Sequence, residues 1–415
     1  MSAVAPPRIR PSGRSYGLLT ERAFQSFLAS EGAATAGYAL YGLAVVWLAI
    51  ATTGRYEVAG AVLGLEFGIY AASFVIGPFV DRAASVRAVA IAGYGAQAAC
   101  AALLGVAAAV GAASVPVLLG LVAALSVAWD FTWTATNALL PRLVVDGDLF
   151  LATGLTGAAG GVTQIVGAAA GAVLLVVSGP AAALLLYAAF NVAALVALLP
   201  VPADTRPPAE GTVRASFAAG WRHVFRGPDP ALAGLTGFSA LQGLVSAAPA
   251  ILIVVAARSV ALDATAAYAL LGTALAGGTV AGSLLLGAVN PRRTVGRWLV
   301  GTVAIEAVLY TIAPFTSGSL GPSLAVWFAL GAGEAVFFSA IIVYLQATTP
   351  QALQGRAFTN TYLFRGAARA VGSFGLGLLL ASVAFGPLAL ALAGYLAVVT
   401  GASLAAWPAL LRTGF

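Results

Sequence analysis

The feature that most constrains this chain is the recurrence of uninterrupted apolar runs, each long enough to cross a bilayer. A spanning α-helix needs about 20 predominantly apolar residues. Runs of that kind fall at 24–51, 57–80, 86–110, 114–138, 150–177, 180–200, 231–256, 263–289, 298–316, 320–346, 357–384 and 386–411. In hydrocarbon the backbone must satisfy its own hydrogen bonds, which leaves only helices and closed barrels. A barrel would show segments of about 10 residues with alternating polarity. These runs are continuous and rich in Ala, Leu and Val, so they predict twelve transmembrane helices and an all-α polytopic membrane protein. Charged residues make up only 8% of the chain, against about 25% in a soluble domain.

The net charge of +6 would suggest nucleic acid as a partner for a soluble protein, but here the arginines have another explanation. Arg8, Arg10, Arg14 and Arg22 precede the first run. Arg82, Arg87, Arg142, Arg206, Arg214, Arg222, Arg226, Arg292, Arg293, Arg297, Arg356 and Arg412 fall in every second connection or after the last run, while the alternate connections hold only Arg55 and Arg258. Cytoplasmic loops carry such an excess. The expectation is an inner-membrane protein with both termini cytoplasmic, in contact with lipid and with no nucleic-acid partner. Pro6, Pro7, Pro11 and Gly13 interrupt the segment before Arg22, which has no apolar core, so no cleaved signal peptide is expected. One Cys and one His rule out an intramolecular disulfide and a metal cluster built on those residues. No cofactor is expected.

The polar stretch 201–230 divides the chain into a tail (1–23), a first set of six runs (24–200), a linker and a second set of six (231–411). Within the linker, Phe217, Trp221 and Phe225 recur every fourth residue, as on one face of a short amphipathic helix. A simple tether is the plainer reading of it. The two sets echo each other: Gly77, Arg82 and Arg87 after the second run match Gly287, Arg292 and Arg297 after the eighth at one constant offset. That predicts two six-helix bundles related by a parallel repeat.

With twelve runs, a central linker and the segment Gly77-Pro78-Phe79-Val80-Asp81-Arg82, the sequence resembles the major facilitator superfamily over essentially its whole length. The family's later paired basic residues are replaced by Ala84, Ser85 and Val86, and Pro291 stands in the second copy where the Asp would be. The turns 137–144 (NALLPRLV) and 351–358 (QALQGRAF) resemble those of the drug- and siderophore-exporting branch. The resemblance implies the major facilitator fold and no enzyme activity. Asp81, with Gly77, Arg82 and Arg87, is the expected conformational latch, since an Asp at a helix end can face the positive end of its neighbour. The glycine-rich stretch 167–171 resembles an exporter motif without its proline, and close helix packing explains those glycines equally well.

Seven acidic or basic side chains fall deep within the runs, away from their ends: Glu31, Glu66, Asp130, Glu306, Glu334, Arg365 and Arg369. Each costs about 2.5–3.5 kcal/mol on insertion scales and so needs a partner or water. Asp130 is eleven residues before Pro141, about 16 Å from the cytoplasmic face. Under the family arrangement all but Glu306 line a central cavity. A carboxyl group holds its proton in hydrocarbon and releases it when water arrives, which makes Asp130, Glu31 and then Glu66 the proton-coupling candidates. Glu334 and Arg369 are expected either to neutralise each other or to bind substrate. Tyr38, Tyr41, Trp129, Trp133, Asn137, Gln164, Gln242, Asn360, Tyr362 and Arg365 complete the expected substrate cavity, with Trp129 and Trp133 bracketing Asp130.

These readings predict a monomeric secondary transporter of a small organic molecule, driven by protons and working in efflux by alternating access. A lipid or siderophore exporter, a solute importer and a sodium-coupled carrier stay open, as does a receptor or scaffold. An enzyme would need a catalytic constellation, and no Walker or HExxH motif is present.

Overall fold

The computed structural model describes residues 17–144, 149–202, 213–227, 229, 231–260, 262–289 and 294–408, which form helices and short connections. The helices are α1 (Arg22–Thr53), α2 (Tyr56–Ala71), α3 (Ser73–Asp81), α4 (Val86–Ala109), α5 (Val115–Leu143), α6 (Leu149–Leu198), α7 (Val213–Arg226) and α8 (Ala231–Ser246). They continue with α9 (Ala248–Ser259), α10 (Ala264–Val289), α11 (Val295–Thr316), α12 (Leu320–Thr348), α13 (Gln351–Leu380) and α14 (Phe385–Ala406).

Among the described residues, ten helical stretches are long and apolar enough to span a membrane. Two local features recover the twelve spans read from sequence. Within the 50 residues of α6, Gly179 has φ 77° and Pro180 follows it, so one span ends and another begins there. Positive φ is open to glycine, and Pro is suited to a first helical position. The second span is broken at Ala72 into α2 and α3, neither of which is long enough alone. The seventh breaks at Ala247 into α8 and α9, where Pro249 lacks the N–H that a continuous helix would use.

Apolar side chains cover the outside as well as the core: Phe315 is 80% exposed, Val177 75% and Val398 69%. That is expected where lipid is the solvent. Hydroxyls inside the spans bond back to their own helix, as Thr273 does to the Ala269 carbonyl at 2.9 Å and Thr400 to that of Leu396 at 2.8 Å. Glycines allow the closest helix contacts. A methyl group on Gly278 or Gly282 of α10 would collide with the Phe328 or Ala332 carbonyl of α12, and one on Gly331 with that of Leu275. Gly167 of α6 meets the Ala36 carbonyl of α1 in the same way, so close packing accounts for the glycine-rich stretch.

Contacts divide the chain into two compact units. The first holds the described residues within Met1–Ala44 and Val75–Glu210, and the second those within Val45–Phe74 and Gly211–Phe415. In the second unit the linker helix α7 docks on α13. A side chain at Gly220 would strike the Arg356 carbonyl, and Trp221 and Phe225 flank Phe364 at 5.7 and 5.6 Å.

Candidate functional site

In the first unit, α1 and α5 bring aromatic rings together beside an acid. Tyr38 stacks on Trp129 at 5.3 Å and 28°, and Trp129 on Trp133 at 5.5 Å and 7°. Tyr38 and Trp133 stay 40% and 47% exposed as residues. On α5, residues Ala123, Ala124, Val127, Ala128 and Phe131 form a small-residue groove with α4. At about 100° per residue, Trp129 and Trp133 point away from that groove. Asp130 is 1% exposed, and both its carboxyl oxygens are buried without a hydrogen-bond partner among the described residues. Such a group is costly as a carboxylate and tolerable as a neutral acid.

Glu31 of α1 is half-buried and accepts a hydrogen bond from the Tyr94 hydroxyl of α4 at 3.2 Å. Tyr41 is buried, with its ring 4.8 Å from that of Tyr187 on α6. The Tyr187 hydroxyl donates to Gln97 Oε1 at 3.0 Å, and Gln97 Nε2 to the Thr132 hydroxyl at 2.9 Å. This ladder across α6, α4 and α5 escaped the sequence reading, because its members lie 35 and 90 residues apart in the chain. Asn137 is exposed and donates to the Trp133 carbonyl at 2.8 Å, while Gln164 is half-buried.

The second unit holds the other candidates, Glu66 among them, half-buried on α2. Gln242 of α8 donates through one nitrogen to Glu306 Oε2 at 3.1 Å and Glu334 Oε2 at 2.9 Å. Arg365 of α13 donates to Glu334 Oε1 and to Gln242 Oε1, each at 2.5 Å. Two expectations are corrected here. Glu334 pairs with Arg365 rather than Arg369, because the Arg365 turn of α13 lies level with it; the Arg369 guanidinium sits 3.8 Å from the Phe67 ring centre instead. Glu306 is not peripheral: it is 4% exposed and opposite Gly333 of α12, and the outward face of α11 is carried by Ile305, Val308, Ile312 and Phe315.

Asn360 is fully buried and donates to the Arg356 and Phe217 carbonyls, which ties it to the linker helix rather than to a cavity. Tyr362 packs between Tyr70 at 6.1 Å and Phe338 at 5.7 Å. Of the expected latch, Gly77 has open space where a side chain would be, Arg82 is exposed, and the side chain of Asp81 lies outside the described residues. Arg87 donates to the carbonyls of Leu198 at 3.3 Å and Leu199 at 2.5 Å, so it caps the C-terminal end of α6. Among the described residues, no group of three His, Cys, Asp or Glu could hold a metal ion.

The family model of the Major Facilitator Superfamily matches residues 27–373. No curated protein sequence matches the chain. Solved structures similar in fold include a mutant of the nucleoside transporter NupG, at 15% identity and TM-score 0.71, covering 92% of this chain and 99% of that one. A POT family transporter in complex with 5-aminolevulinic acid is similar at 11% identity and TM-score 0.74, over 94% of this chain and 96% of that one. Peptide transporter POT in complex with sulfate is similar at 14% identity and TM-score 0.71, over 98% and 97%.

Proposed function

This chain belongs to the Major Facilitator Superfamily and is a secondary transporter; from that premise we propose that it exports a small planar cationic or zwitterionic molecule in exchange for protons. The observation that carries this reading is the buried Asp130, without a hydrogen-bond partner among the described residues, beside the Tyr38–Trp129–Trp133 stack whose two outer members are exposed. Exposed rings offer stacking and cation–π attraction to a planar cation. An acid that is buried alone gains a partner when it is hydrated or when cargo arrives, so proton and cargo compete for it. Glu31, held by Tyr94, is the second acid of the same unit. Export as the direction rests on the turns 137–144 and 351–358.

Alternating access requires contacts that close one side and open in the other state. The packing of 45–74 within the second unit supports such a gate. Trp47 stacks on Tyr268 at 4.8 Å, Arg258 donates to the Tyr56 hydroxyl at 2.9 Å, and a methyl group on Gly60 would lie 2.6 Å from the Ser373 carbonyl. The arginine-poor turn around Tyr56 belongs, by the charge asymmetry, to the non-cytoplasmic side.

Proteoliposomes with an imposed pH gradient and ethidium as the probe test the reading. Export by antiport predicts ethidium accumulation only when the lumen is acidic, and loss of accumulation in Asp130→Asn. Accumulation that follows the opposite gradient would make the protein a symporter. Accumulation that ignores the gradient, or survives in both Asp130→Asn and Glu31→Gln, removes proton coupling through these acids.

A further inference from the structure

The second unit contains two acids and one base locked together, and the count of charges has a consequence. Glu306 and Glu334 both accept from the same Gln242 nitrogen, so their bonded oxygens are separated by no more than the two bonds, 3.1 and 2.9 Å, laid end to end. The only cation in contact with them among the described residues is Arg365, which bonds Glu334 and not Glu306. Arg365 is held in place by the Gln242 and Ser239 carbonyl oxygens and by the Phe337 and Phe338 rings at 5.1 and 5.8 Å. A guanidinium stays charged. With both acids ionised the cluster would carry a net negative charge in a low-dielectric interior, which is strongly disfavoured. The Oε1 of Glu306 is buried with no hydrogen-bond partner among the described residues, a position that a neutral acid tolerates far better than a carboxylate.

We infer that the Gln242–Glu306–Glu334–Arg365 network is a proton-binding site that holds one proton, on Glu306 in the arrangement described, with Glu334 as its port to water. Glu334 is the natural port because its side chain is 23% exposed, whereas Glu306 and Arg365 are 4% and 3% exposed as residues. Arg365 is the counter-charge of Glu334, so without it the same charge balance leaves the cluster no cation to face a carboxylate. The other ionisable side chains deep in the helices packed around the network are Glu66 and Tyr70 of α2, Tyr268, Tyr310, Tyr344, Tyr362, Tyr395 and Arg369. The phenols are neutral, and Arg369 is held at Phe67. The role in a transport cycle rests on the proton-coupled reading above, while the proton count stands without it.

Infrared spectroscopy of the purified full-length protein in lipid at neutral pH tests the count through the C=O stretch of protonated carboxyl groups. Glu306→Gln, which keeps the side-chain shape, should lower that band by one carboxyl. Arg365→Gln should raise it by one, and the double variant should return to the wild-type area. A band unchanged in Glu306→Gln, or unchanged in Arg365→Gln, overturns the proposal; if Arg365→Gln fails to fold, Glu306→Gln alone decides. Asp130→Asn measured in parallel reports on the first unit, so failure there leaves this count untouched.

Discussion

At the residue scale, the first unit sets a carboxyl group with no partner among the described residues near exposed rings, while the second ties two acids to one arginine through a shared amide. The exposed rings carry a prediction: Trp133→Ala should weaken ethidium binding about two- to thirteen-fold, the equivalent of about 0.5–1.5 kcal/mol for a lost ring pair. Fluorescence titration of the purified protein measures it, and unchanged affinity would remove Trp133 from the site. The spacing of Trp129, Asp130 and Trp133 was legible in sequence because helical period alone puts those residues near one another. The partners of Glu306 and Glu334 were not, because Gln242 lies on another helix, 64 and 92 residues away. Nor can sequence choose between Arg365 and Arg369, which share a helix face one turn apart. The level at which α13 meets α12 makes that choice.

At the element scale, backbone contact between helices is set by where side chains are missing. Gly331→Ala, which drives a methyl group into the Leu275 carbonyl, should cost about 1–3 kcal/mol. Gly120→Ala, where nothing lies within 4 Å, should instead gain about 0.5–1 kcal/mol from helix propensity. Thermal unfolding in detergent distinguishes them, and a similar shift in the two variants would contradict the packing account. The apolar runs predicted every span, because length and hydropathy dominate that decision. Internal breaks were harder to see: Pro180 follows a glycine and reads as a boundary, whereas the break at Ala72 has no proline or glycine beside it.

At the scale of the whole molecule, polarity and contact divide the chain differently. Sequence marks the 201–230 linker because hydropathy collapses there. The contact division at 44–45 and 74–75 lies within apolar helices, so no change of composition announces it. If the contacts of 45–74 form a gate, holding them closed must stop transport. In a Cys100→Ser background, Tyr56→Cys with Arg258→Cys should be joined by a short thiol-specific cross-linker with a reducible bridge, with transport lost and then restored by reductant. Full transport with the link in place would exclude these contacts as a gate.

The central claim is that proton and cargo compete for Asp130, and the most direct test follows both fluxes at once. Proteoliposomes carry a trapped pH dye and an outward ethidium gradient, with no pH gradient imposed. The account predicts that ethidium efflux drives protons inward in the wild type, and that Asp130→Asn abolishes the proton signal while ethidium–ethidium exchange continues. Proton movement undiminished in Asp130→Asn, or ethidium efflux in the wild type with no proton movement, would contradict it.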